Sequence, residues 1–214
     1  MLEIDLERER LLLLPERAIW WESVKTLIVS DLHWGKSAHF RKHGIAIPAD
    51  TQDKDELRLA GLLRTYSAER LIIAGDMFHS KTNNQVEIFS HFRDAHKSVH
   101  IDLVIGNHDI LKSDQYDKWN LAQHQDCFNV GPFCIAHDMI EDSERFVLHG
   151  HVHPSLRIKS KGSNQPTIKL CCFAEGKDRM ILPAFGHFTG THEVEAKDYR
   201  HLYLIAENKV IKWK

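Results

Sequence analysis

The chain has 214 residues, of which 43% are apolar and 27% charged, and its formal net charge is -2. That apolar share excludes a wholly disordered chain, and the balanced charge excludes a protein that grips nucleic acid by bulk positive charge alone. The length suits one domain, residues 1–214, able to bury about 70% of its unfolded surface without a disulfide framework.

Residues 11–14 are an all-leucine run, far too short to span a bilayer and ended by Pro15. The charged start, Met1-Leu-Glu-Ile-Asp5, predicts neither a signal peptide nor a transit peptide, so a cytoplasmic chain with no membrane segment is expected. Residues 26–30, Thr-Leu-Ile-Val-Ser, predict a buried strand. Residues 35–43 read as a short helix or loop carrying Lys36, Arg41 and Lys42. Over 50–67, Leu57, Leu59, Ala60, Leu62 and Leu63 follow an acidic start, which predicts a helix with favourable dipole polarity. A second strand is expected at 71–74, an amphipathic helix at 84–97 through Val86, Ile88, Phe89 and Phe92, and a third strand at 101–105. This β-α-β-α-β order predicts parallel neighbours joined by helical crossovers.

Beyond residue 125 helical periodicity fades. Strand-like runs crowd together at 133–136, 146–148, 156–159, 167–173, 180–182 and 201–206, and residues 161–166 read as a hairpin-like loop. An α/β first half and a β-rich second half predict a sheet-on-sheet core with helices outside. The four cysteines, Cys127, Cys134, Cys171 and Cys172, show no C-x-x-C spacing and read as small buried residues of a reducing compartment. The sixteen histidines are in excess of ordinary usage, and no run of consecutive histidines accounts for them.

The polar residues that matter follow predicted strands. They are Asp31-Leu-His33, Gly75-Asp76, Gly106-Asn-His-Asp109, His137-Asp138 and Gly150-His-Val-His153. Ligands of open α/β sheets bind outside the carboxyl ends of strands, so these clusters are expected to converge on one site. Asp, His and Asn without thiolates suit Mn²⁺, Fe²⁺ or Zn²⁺. So many donors exceed one tetrahedral ion and suit two ions about 3.5–4 Å apart, bridged by a carboxylate and a water. Taken singly, each motif also has a plainer reading: a histidine as a hydrogen-bonded core residue, an aspartate as a helix cap.

In this order, D-x-H, G-D, G-N-H-D, H and G-H-x-H resemble the calcineurin-like metallophosphoesterase superfamily. Residues 30–36 (SDLHWGK), 40–48 (FRKHGIAIP) and 182–190 (LPAFGHFTG) resemble the bacterial ligase-associated DNA damage response endonucleases. The resemblance implies an α/β protein built as a four-layer αββα sandwich. It implies that Asp31, His33 and His153 hold one metal, that Asn107, His137 and His151 hold the other, and that Asp76 bridges them. The ions are expected to be Mn²⁺, with Fe²⁺ or Zn²⁺ as alternatives. They would activate a water for in-line attack on phosphorus, while His108 stabilises the transition state and protonates the leaving oxygen. Asp109 would orient His108.

Many superfamily members carry a second aspartate three residues after the bridging one, and here His79 stands in its place. His79 cannot support His108 in the same charged way; it faces substrate or hydrogen-bonds behind the ligands. His187 lines the pocket mouth or is an ordinary loop residue. Lys36, Arg41, Lys42, Arg157, Lys159 and Lys161 form either a basic rim for a nucleic-acid backbone or plain solvated charge.

The leading expectation is a two-metal phosphodiesterase acting as a DNA endonuclease in repair, with DNA as substrate and, by the resemblance, a repair ligase and helicase as functional associates. The alternatives are a phosphodiesterase for a small substrate, such as a cyclic nucleotide or a nucleotide-sugar pyrophosphate, and a non-catalytic scaffold.

Overall fold

The computed structural model describes residues 1–34, 51–78, 83–159, 167–187 and 189–214; at 51–53, 83–86 and 159 it describes the backbone alone. Two sheets face each other. The first has seven strands in strict chain order: β1 (Leu2–Leu6), β2 (Glu9–Leu14), β3 (Ala18–Trp21), β4 (Thr26–Ser30), β5 (Arg70–Ala74), β6 (His100–Val104) and β7 (Leu121–His124). β4 to β7 run parallel, and β1 to β4 are linked antiparallel.

The predicted helices are α1 (Thr51–Thr65) and α2 (Asn83–Ala95), and a short α3 (Ser113–Lys118) leads into β7. Sequential strand order with right-handed crossovers puts successive helices on one face of a sheet. Accordingly, Leu59, Leu62 and Leu63 of α1 and Phe89 and Phe92 of α2 share one core cluster with Leu27, Val29, Leu71, Ile73, Ile101 and Leu103. β4 and β5 are therefore buried on both faces, which is why they read as unbroken apolar runs.

The second sheet is built from β8 (Cys127–Val130), β9 (Phe133–Ala136), β10 (Phe146–His149), β11 (Pro154–Lys159), β12 (Thr167–Glu175), β13 (Arg179–Ile181), β14 (His192–Glu193), β15 (His201–Ala206) and β16 (Lys209–Lys212). Its inner face supplies Phe133, Ile135, Leu148, Phe173 and Met180, which pack on Ile28, Ile72 and Val104 of the first sheet.

The expected second helical layer does not appear among the described residues: their α-helices all pack with the first sheet, Tyr116 of α3 included. The outer face of the second sheet instead carries Leu156, Cys172, Ile181, Val194, Leu202 and Leu204, with a 3₁₀ turn at Ala196–Asp198. Most neighbours in this sheet pair antiparallel and need no helical crossover. Among the described residues no helix is long and apolar enough to cross a membrane.

The first three strands were not expected. Leu2, Ile4 and Leu6 alternate with Glu3 and Asp5, a period-two signal that was there to be read. The turn gives no such cue: Glu7 and Arg8 both adopt positive φ, 49° and 66°, a geometry normally announced by Asn-Gly.

Candidate metal centre

The five polar clusters do converge. β4 and β5 continue to pair beyond their last residues, with Asp31 N donating to Gly75 O at 3.1 Å and His33 N to Asp76 O at 2.9 Å. This extended register places the D-x-H loop beside the G-D loop. Across the sandwich, Gly150 N donates to His137 O at 3.1 Å, which aligns the two clusters of the second sheet. The sheets then meet at the carboxylate of Asp31, which accepts the His151 amide at 3.2 and 3.1 Å.

Two donor groups result, Asp31 with His33 and His153, and Asp31 with Asp76 and His137; in each, the ligand atoms lie within 4.8 Å of one another. Asp31 Oδ1 is 3.3 Å from His153 Nε2 and 3.9 Å from His137 Nδ1. Asp76 turns Oδ2 toward His33 Nε2 at 3.7 Å and Oδ1 toward His137 Nε2 at 3.5 Å. Its two oxygens thus face both groups, while Asp31 belongs to both. His151 joins through His137, with Nδ1 and Nε2 3.0 Å apart.

Asp31 and Asp76 are 0% and 3% exposed, and among the described residues the side chains of His33, His137 and His153 face them. Two buried carboxylates faced by imidazoles, which are cationic only if protonated, are costly unless cations compensate them. The donor set therefore fits divalent metal.

The site backbone is strained where the ligands sit. Asp31, His33, Asp76, His151 and His153 all have φ between 44° and 66°. Each is a non-glycine residue in the left-handed region, a cost of order 1 kcal/mol or more that the surrounding hydrogen bonds must hold. The motif glycines make room for the ligands. At Gly75, with φ of 78°, a Cβ would overlap the His137 ring, and at Gly150 it would overlap the Asp31 carboxylate.

His108 and Asn107 are exposed in the loop after β6. The His108 amide donates to Asp76 Oδ1 at 2.9 Å, and its ring lies edge-on to His33 with centroids 5.4 Å apart. The buried carboxyl of Asp109 accepts Phe78 N at 3.1 Å and Gly106 N at 2.9 Å, which ties the G-N-H-D loop to the G-D loop. Burial pushes it up to about 7. Asp109→Ala would orphan both backbone donors and is expected to lower stability by about 2–4 kcal/mol in urea unfolding. Asp109→Asn keeps an acceptor oxygen and is expected to lose less than half as much.

His187 is held sideways by α1. Its Nδ1 lies 2.5 Å from Asp55 Oδ1, its amide donates to Asp55 Oδ2 at 3.0 Å, and Arg58 Nη1 is 3.0 Å from Nδ1. Asp55 and Arg58 carried no sequence signal, because their partner lies more than a hundred residues away in the chain. His149 is a buried β10 residue whose Nδ1 donates to Gly150 O at 3.1 Å, and burial pulls it down to about 4. Arg157 is exposed and paired with Glu193 at 2.8 Å. His79, Lys36, Arg41, Lys42 and Lys161 lie outside the described residues, as does the Lys159 side chain.

A family model described as calcineurin-like phosphoesterase matches residues 24–203. Among solved structures, the chain is similar to the nuclease MPE of Pseudomonas putida, with 28% identity, a TM-score of 0.84, and coverage of 99% of this chain and 98% of that one. A looser likeness, with 12% identity and a TM-score of 0.49, links 87% of this chain to 96% of Yfce, a phosphoesterase from E. coli. No curated protein matches in sequence.

Proposed function

Since the chain belongs to the calcineurin-like phosphoesterase family and is a metal-dependent phosphoesterase, we propose that it hydrolyses phosphodiester bonds in DNA as a two-metal, manganese-supported endonuclease of DNA repair. The observation that carries this reading is the pair of donor groups, built on the buried carboxylates of Asp31 and Asp76, that meet at Asp31. Full-length likeness to a nuclease supports the polymeric substrate. So does the exposure of Asn107, His108 and His151 beside the centre, since a polymeric substrate must be met at the surface.

In this reading Asp31, His33 and His153 hold one ion, and Asp76, His137, His151 and Asn107 complete the second position. When bound, the two ions lower the pKa of a water and offset the charge of the phosphoryl oxygens. The chain's own residues do the rest. Asp76 spans both positions and receives the His108 amide, so the loop that carries His108 is indexed to the centre. His108 approaches the leaving oxygen from the exposed side and donates a proton to it. Asp109 keeps that loop in place through the backbone bonds to Phe78 and Gly106. His79 is assigned to the substrate side. A repair ligase and helicase are the functional associates of this reading.

The test is a Mn²⁺-supplemented assay offering single-stranded DNA, plasmid, cyclic nucleotides and an aryl phosphodiester side by side. DNA cleavage that stops with chelator and returns with Mn²⁺ is expected. KM for single-stranded DNA is expected to rise about tenfold or more between about 50 and 200 mM salt as phosphate contacts are screened. Efficient turnover of cyclic nucleotides, with a flat salt response and intact DNA, would overturn the reading in favour of a small substrate.

A further inference from the structure

Asp31 belongs to both donor groups and holds φ at 50°, so something must keep it there. The sheet supplies one restraint, the bond from Asp31 N to Gly75 O. Two more come from residues 183–187, which follow β13 and form neither helix nor strand. Phe185 N donates to Ser30 O at 2.8 Å, and Gly186 N donates to Asp31 O at 3.1 Å. The carbonyls on both sides of the strained turn are therefore taken by one irregular segment.

That segment needs an anchor of its own, and α1 provides it. Arg58 Nη2 donates to Phe185 O, and the Arg58 guanidinium lies over the Phe185 ring, 4.0 Å from its centroid. Asp55 receives Arg58 Nη2 at 2.9 Å and takes both the amide and the ring of His187. Arg17 adds bonds to Ala184 O and Gly186 O, each 3.3 Å. The Arg58 and Asp55 side chains are only 17% and 18% exposed, so this ion pair is largely withdrawn from water for a local purpose. Neither residue belongs to a donor group.

We infer that Arg58 and Asp55 are positioning residues for the Asp31 carboxylate, acting through the backbone of residues 183–187. The inference rests on the metal-centre reading above and adds to it a support from a helix that contributes no ligand. It also reassigns His187, whose ring and amide close the clamp on the helix side. Groups that orient metal ligands from behind typically change metal affinity by about 10–100-fold when removed.

The test is Mn²⁺ titration of the purified full chain by calorimetry, paired with backbone amide hydrogen exchange. In Arg58→Ala, the Mn²⁺ dissociation constant is expected to rise by about tenfold or more. The Phe185 and Gly186 amides are expected to exchange correspondingly faster. Turnover lost at low Mn²⁺ should return at saturating Mn²⁺, so the metal constant moves and kcat does not. Arg58→Lys, which keeps the charge beside Asp55 and one donor for Phe185 O, should recover part of the affinity.

Lower thermal stability with unchanged Mn²⁺ affinity in the folded protein would mean ordinary packing and would overturn the inference. Should Arg58→Ala fail to fold, Asp55→Asn carries the same readouts, because it weakens the hold on Arg58 while still accepting the His187 amide. Wild-type protein that takes up no Mn²⁺ would remove the metal-centre reading, and this inference with it; equal affinity in wild type and variant removes the inference alone.

Discussion

His108→Ala is expected to slow turnover on the order of 10²–10⁴-fold while both metal positions stay filled. The residue is exposed beside the centre and is not a member of either donor group. Its backbone amide donates to Asp76 Oδ1 at 2.9 Å, and an alanine keeps that bond. The substitution thus removes an imidazole and leaves the loop indexed. Elemental analysis should find wild-type metal content. The rate loss should be smallest on substrates with an aryl leaving group, which departs without a proton. Loss of metal in this variant would contradict the assignment.

Asp76→Asn should have the larger effect on metal. The amide is nearly isosteric, but it is neutral, and its NH₂ would face a histidine nitrogen on one side or the other, at distances now 3.7 and 3.5 Å. Cation binding at both positions should weaken, and activity should fall by about 10³-fold or more. Stability separates this effect from simple damage. Wild type in Mn²⁺ at a hundred times its dissociation constant gains about 2.7 kcal/mol from binding, and the variant should gain almost nothing. Without metal the variant should be at least as stable as wild type, because it buries one carboxylate fewer. A variant that keeps two ions and a normal rate would show that Asp76 is not shared.

The parallel strands of the first half could be read from the chain because burial on both faces leaves a continuous apolar run. The two crossover helices announced themselves by period, and their ends fell within a few residues of the expected ones. Hairpins of the N-terminal sheet were harder to see. Leucine is a weak strand signal, and the Glu7-Arg8 turn lacks the residues that usually mark positive φ. The resemblance implied helices on both sheets. Among the described residues the second sheet has none, since antiparallel neighbours connect without them.

At the site, the chain by itself made the candidate donors legible. Ligand chemistry depends on residue type, and strand ends can be located from local periodicity, so the five polar clusters were legible without coordinates; the choice of Asp31, His33, Asp76, Asn107, His137, His151 and His153 among them is what the family resemblance implied. Only the tertiary structure decided how they are shared. The two sheets meet where the His151 amide reaches Asp31, 120 residues apart in the chain, and that contact makes Asp31 common to both groups. It likewise gave the Asp109 carboxyl to the Phe78 and Gly106 backbone and brought Arg58 of α1 onto residues 183–187. Such contacts follow from sheet register, loop dihedrals and layer packing, which no stretch of neighbouring residues encodes alone.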